Sequence, residues 1–233
     1  MRYSIRKKNK RIFRFYHWST LLLVSAFAIS VPKAHGEDSI FTARSVFEKL
    51  NCSALEILPP STRMDMLDYW DVDSIYKASN VMEGLSWLES VNPTFLKVRI
   101  TNVSNLEIKI LPDKKELLAM TLYTVGDSIQ SEDTQVMFYN QDMELLPVEK
   151  HIEMPQLKDF FDIPKGSATK MKEIEQMIPF PTIAITANSQ NDDIEARLTV
   201  EKYINEDDWN IAKLFVKPSV TLEWNKGKYK IKK

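Results

Sequence analysis

Between Arg63 and Asp73 the chain sets four carboxylates, Asp65, Asp68, Asp71 and Asp73, among Met66, Leu67, Tyr69 and Trp70. Neighbouring carboxylates suit two kinds of chemistry. They can share acid and base work on a glycosidic bond, or they can supply oxygen ligands to calcium. On a helix Asp65 and Asp68, three apart, fall on one face, with Met66, Leu67 and Trp70 on the other. The calcium-loop pattern fails, because Ile75 and Tyr76 stand where an oxygen ligand and a glycine belong. What remains is an acid-dependent hydrolase using Asp65 or Asp68. Against it stands an ordinary solvated helix face, in which Arg63 pairs with a neighbouring acid.

The rest of the chain offers little for catalysis. Its five glycines are scattered singly, so no phosphate loop or dinucleotide fingerprint can be built. No nucleophile elbow and no paired-histidine zinc helix occur. Of the histidines His17, His35 and His151, only the last lies beyond the N-terminal segment, too few for a zinc site or a convincing triad. No cofactor is expected. Cys52 is the single cysteine, so no intramolecular disulfide can form, and its flanks lack the positive charge that makes a thiol reactive. It reads as a small buried hydrophobe. Trp70, Trp87, Trp209 and Trp224 could stack on sugars, but the alternation around Trp87 and Trp224 and the stripe around Trp209 favour core packing.

Residues 1–36 differ from the remainder. Of 31 basic residues in the chain, eight fall here and none of the 32 acids does, so the remainder carries 23 bases against 32 acids, a net charge of −9. A basic stretch over 2–14 precedes the apolar run Leu21–Val31, then Pro32, then Ala34-His35-Gly36. That is the three-part pattern of a cleaved export signal, with the cut between Gly36 and Glu37. The apolar run is shorter than the roughly 20 residues a membrane span needs, so the mature chain is expected to have none. The acidic mature body is unsuited to nucleic acid, whose affinity rests on basic side chains neutralising phosphates. The expected location is the periplasm, the cell surface or the exterior.

The elements that position these residues read as helices, then strands, twice over. Asp38 and Ser39 can cap a helix running to Leu50, and Ser61 a second one over 62–70. Then the period becomes two. Leu96, Val98 and Ile100 alternate with Lys97, Arg99 and Thr101, and Leu106, Ile108 and Ile110 with Glu107 and Lys109. The polar link 102–105 makes these two an antiparallel hairpin. Further strands are expected over 117–125 and 134–139. A second round brings a short helix over 155–161. A longer helix capped by Ser167 follows, with Met171, Ile174, Met177 and Ile178 in one stripe. Strands are then expected over 182–187 and 193–201, a helix opened by Asn205 with Glu206, Asp207 and Asp208, and a final hairpin over 220–231. The expected fold is α+β: two successive lobes, 37–150 and 151–233, each a helix layer on an antiparallel sheet, able to share one continuous sheet.

Several stretches resemble a family of exported Bacteroidales proteins known as domain of unknown function 3256. They are Leu58–Asp68, Val98–Ile100 with Ile108–Pro112, Ile194–Val200 and Lys217–Tyr229. The resemblance implies an exported α+β protein and supplies no activity. The family's Arg-x-Asp-Met-x-Asp segment corresponds to Arg63, Asp65, Met66 and Asp68, singled out for interaction on that basis. It also implies a host that attaches O-glycans at Asp-Ser followed by an aliphatic residue. The matching serines are Ser39, Ser74 and Ser128, although such tripeptides also serve as turns and caps. Together these readings point to a non-catalytic binding or accessory module of the periplasm or cell envelope, with an envelope protein or a glycan as partner. The alternatives are the Asp65/Asp68 hydrolase and a subunit of a surface assembly, which would present an unpaired sheet edge or a large apolar patch.

Overall fold

A computed structural model of the chain describes residues 41–114, 116–127, 131–164 and 167–232. The first helix, α1 (Ala43–Lys49), is opened by a capping box: Thr42 accepts from the Ser45 amide while Ser45 accepts from the Thr42 amide. Phe41, one residue earlier, packs into the same cluster as Val46 and pins the entry angle. The cap is Thr42; Asp38 and Ser39, expected to open this helix, lie outside the described residues. In α2 (Pro60–Asp71), Pro60 takes the first helical position and no side chain caps the end. Ser61, the expected cap, lies inside the first turn, because a proline with preset φ and no N–H starts a helix one residue earlier.

Seven strands follow in sequence order, each antiparallel to the next. They are β1 (Ala78–Ser79), β2 (Leu85–Val91), β3 (Phe95–Thr101), β4 (Ser104–Asp113), β5 (Glu116–Gly126), β6 (Glu132–Tyr139) and β7 (Leu145–Leu146). The alternation read in the sequence places Leu96, Val98, Ile100, Leu106, Ile108 and Ile110 on one face. There they pack against Ala43, Val46 and Phe47 of α1 and Met66 and Leu67 of α2.

The chain then passes through the short helix α3 (Val148–His151) and a 3-10 turn at Leu157–Phe160 to α4 (Ala168–Met177). A separate four-stranded antiparallel sheet has the order β11-β10-β9-β8. Its strands are β8 (Ile183–Ala187), β9 (Ile194–Leu198), β10 (Val220–Asn225) and β11 (Lys228–Ile231), with α5 (Glu206–Ala212) between β9 and β10. Asn205 caps α5 by accepting from the Asp208 amide, as its acids led one to expect. At α4, Ser167 occupies the cap position without a side-chain bond. The β10–β11 hairpin turns on Lys226 and Gly227, both at positive φ (52° and 86°), the type I′ geometry that matches strand twist. A side chain at Gly227 would meet Asp113 Oδ1 at 2.4 Å.

The fold is therefore α+β, with helices on one face of the large sheet and the small sheet on the other. The two sheets do not share a ladder; they are joined by packing. The second hydrophobic cluster spans the joint near residue 150, uniting Met120, Leu122, Val136 and Phe138 with Ile185, Ala196, Leu222 and Tyr229. Residues 39–233 form one compact unit. Among the described residues, no helix is long and apolar enough to cross a membrane.

Candidate functional site

The segment Arg63–Asp68 divides across α2. Arg63 and Met66 are buried, while Asp65 and Asp68 are exposed. Among the described residues Arg63 pairs with no acid. Its Nη1 donates to the Phe47 and Leu50 carbonyls at 2.5 and 2.9 Å, closing the C-terminal end of α1, and its guanidinium lies 5.9 Å from the Phe47 ring. Burial lowers its pKa from the usual arginine value. The expected local ion pair fails because i+2 and i+5 neighbours point away from a residue on the inner face, whereas the orphan carbonyls of α1 lie directly against it.

The outer face of α2 carries Met64, Asp65, Asp68, Tyr69 and Val72, all exposed and at one helical spacing. A helix apolar on its inner face needs no further apolar residues on its outer one. Yet Met64, Tyr69 and Val72 are 56%, 48% and 70% exposed. Tyr69 stacks on Tyr76, ring centroids 4.9 Å apart. Beside them Arg44 of α1 grips Asp71 with both carboxylate oxygens, at 2.7 and 2.8 Å, and also reaches Glu48. That hydrogen-bonded guanidinium holds the Asp71 carboxyl below its ordinary range.

The end of α2 is built as a Schellman closure. The Asp73 amide donates to Trp70 O and the Ser74 amide to Tyr69 O, both at 3.0 Å. Asp73 takes the left-handed conformation, φ 54°, where glycine is the usual occupant. The turn frames a shallow hollow of about 220 Å³ lined by Trp70, Asp73, Ser74 and Ile75. Neither Asp65 nor Asp68 lines it. A general acid needs an enclosed, poorly hydrated setting to tune its proton, and both carboxylates stand in water instead.

The other residues singled out in the sequence lie apart. Ser74 is exposed, whereas Gly36, Glu37, Ser39 and Ser128 lie outside the described residues. Cys52 is half-buried against the helix-side core, and burial pushes its thiol pKa up. His151 meets Gly227 O through Nδ1 at 3.0 Å and lies 5.1 Å from the Phe138 ring. Trp70, Trp209 and Trp224 pack against the two cores, and Trp224 also donates to Pro112 O at 2.7 Å. Trp87 lies instead under the Lys77 ammonium, 5.4 Å from the ring centre. Among the described residues no group of three or more His, Cys, Asp or Glu side chains could hold a metal ion.

Sequence reasoning missed the charged seam between the sheets. Glu107 and Lys109, assigned by alternation to the polar face of β4, are only 3% and 2% exposed. Glu107 accepts from the Ala187 amide at 2.7 Å and meets Lys97 at 3.1 Å. Lys109 donates to Asn188 O at 3.1 Å, with Asp192 3.6 Å away; its burial lowers its pKa against the pull of that carboxylate. Nothing in the local pattern distinguishes a polar residue facing water from one facing a second sheet.

A family model described as "Protein of unknown function (DUF3256)" matches residues 40–229. A solved structure, that of a domain of an uncharacterized protein from Porphyromonas gingivalis W83, superposes with a TM-score of 0.69 at 19% identity. The match covers 81% of this chain and 96% of that one, and at such identity it establishes the fold alone. No curated protein matches the chain.

Proposed function

The chain belongs to the DUF3256 family, and from that membership and the geometry of α2 we propose that it is an exported, non-catalytic binding module of the cell envelope. The observation that carries this reading is the outer stripe of α2. Met64, Tyr69 and Val72 stay exposed at helical spacing, interleaved with Asp65 and Asp68. An apolar stripe edged by charge on an already packed helix is the composition of a docking surface, apolar at its centre and polar at its rim. A partner in the envelope, protein or glycan, would cover it.

Export rests on the basic, apolar and small-residue succession before Glu37. The N-terminal sequence of protein recovered from the envelope is expected to begin at Glu37. Ser74, exposed in the turn after α2, is the described candidate for an attached glycan. Native protein with no mass increase on the peptide containing Ser74 would remove that assignment.

The central test is affinity capture from envelope extract with residues 37–233, run beside an Asp65→Ala, Asp68→Ala variant. A stoichiometric partner retained by the parent and lost by the equally stable variant is the expected result. Equal recovery by both, or none by either, would return α2 to scaffold. The same stripe would equally serve self-association in a surface assembly. Sedimentation of the purified chain separates the two readings: the binding module stays monomeric.

A further inference from the structure

Two hairpin turns and the short helix α3 meet around Gly227. The Trp224 indole N–H of β10 donates to Pro112 O at 2.7 Å, and Asp113 lies against Gly227. On the other side His151 Nδ1 meets Gly227 O at 3.0 Å, and Lys228 donates to Glu149 O at 3.0 Å. These contacts hold the β4–β5 turn, the β10–β11 turn and α3 to one another, although they lie far apart in the chain.

What the junction gathers is positive charge. Lys114, Lys150, Lys226 and Lys230 are all exposed. None makes an ion pair or a side-chain hydrogen bond among the described residues, although Asp113, Glu116 and Glu149 belong to the same segments. Asp113 keeps its Oδ1 buried against Gly227 without a hydrogen-bond partner. Elsewhere Arg44, Lys97, Arg99, Lys170 and Arg197 each meet a carboxylate within 3.1 Å. Beyond residue 36 the chain holds 32 acids against 23 bases, so acids are plentiful. Unpaired lysines brought together by folding in such a chain create a local field opposite to that of the body.

The chemistry that fits is a polyanion. Ammonium groups on three separate backbone segments spread their charge over a surface, which suits a run of anionic groups better than one small ion. A protein interface is a poorer match, because it needs an apolar centre. Residues 112–116 and 225–228 offer no apolar side chain except Pro112. A flat anionic membrane would bring the acidic body within a Debye length, about 8 Å at physiological salt, of its own charge. A single polymer strand touches the turns alone.

We propose that this junction binds an acidic polysaccharide of the cell envelope through its anionic groups. The surface is separate from the outer stripe of α2, and the proposal shares with the binding-module reading only the envelope location.

The test is calorimetric titration of residues 37–233, which contain both packed cores, with dextran sulfate, uncharged dextran and phosphatidylglycerol vesicles. Dextran sulfate is expected to bind at about 0.15 M salt, more weakly as salt rises, and the other two are expected not to bind. The triple variant Lys114→Gln, Lys150→Gln, Lys226→Gln should keep the parent Tm and bind about tenfold more weakly. Its salt dependence should also flatten, because the slope counts the cations engaged. Lys49→Gln, Lys172→Gln, Lys202→Gln removes equal charge from exposed lysines elsewhere and should leave affinity and slope unchanged.

Equal loss in the two triple variants would reduce the effect to net charge and overturn the site. So would failure of dextran sulfate to bind, or binding of the uncharged dextran or the vesicles. The Asp65→Ala, Asp68→Ala variant should bind dextran sulfate as the parent does, so the α2 surface stands or falls separately.

Discussion

The large sheet is sealed on both faces, and by opposite means. On the helix side, Phe47, Leu67, Val98 and Ile108 meet in an apolar layer whose buried polar groups bond within it: Arg63 closes the end of α1, and Asn80 and Ser86 donate to the Ile100 carbonyl. On the other side the small sheet stands on β4 to β6 by its edge strand β8. Every second amide of β8 is received by a side chain of the large sheet: Ile183 by Asp133, Ile185 by Thr134 and Ala187 by Glu107, at 3.1, 2.9 and 2.7 Å. A helix arrives with its backbone satisfied and needs only an apolar stripe. A sheet edge arrives with a row of open donors, and burying it without acceptors costs free energy for each one. The polar seam is thus the condition for packing an edge strand on a sheet face. It also closes one edge to strand addition.

The largest expected effect lies on the helix side. Phe47→Ala should cost about 3–5 kcal/mol in urea unfolding, the range for emptying a fully buried aromatic site. Next comes the seam. Glu107→Ala strips the acceptor from Ala187 and leaves Lys97 only the more distant Glu89 at 3.8 Å, at a cost of about 3 kcal/mol, whereas Glu107→Gln keeps an acceptor and should cost about 1 kcal/mol. Hydrogen exchange sharpens the contrast. In Glu107→Ala the amides of β8 should lose protection first, while those of α1 and α2 keep theirs. Uniform loss would mean that the two faces are not separable layers.

Thr134→Val is the finer probe of the same seam. Thr134 Oγ1 accepts from Ile185 and shares a hydrogen bond with Thr124 at 2.8 Å. Valine preserves the shape and deletes the hydroxyl, so the loss should be about 1–2 kcal/mol, set by the stranded Ile185 amide and the lost bond to Thr124. A neutral result would show that water reaches this amide.

Much of the frame was legible because strands and amphipathic helices announce their period. The alternation over 95–101 and 106–110 became β3 and β4, and the stripe of Ile174 and Ile178 enters the second core. Caps were less legible. Thr42 caps α1, and α2 starts at Pro60 with Ser61 inside its first turn, since several residues near a helix start compete and the chain geometry selects one. β2 was legible only as alternation around Trp87, without bounds, because a bulge between Leu88 and Ser90 interrupts the pattern. The site was half legible. Periodicity separated Asp65 and Asp68 from Met66, but Arg63 could be placed inside only once α1 supplied carbonyls for it. The seam was not legible at all, because the partner of Glu107 is 80 residues away in the chain.

The smallest effect returns to the helix side, at the surface clasp between its helices. Arg44 and Asp71 tie α1 to α2 at the partly exposed surface, so Asp71→Asn should lower Tm only slightly, and less at high salt. Its pH dependence identifies the cause. Arg44 depresses the folded carboxyl's pKa, so the clasp stabilises fully above the ordinary aspartate value of about 3.9 and is lost as pH falls through the depressed one. The Tm gap between parent and variant should therefore be constant from neutral pH to about pH 4 and vanish in stronger acid. If the gap persists there, Asp71 holds the helices by shape rather than charge. The polar tie between α1 and α2 would then rest on the buried bonds of Arg63 to the Phe47 and Leu50 carbonyls rather than on a surface ion pair.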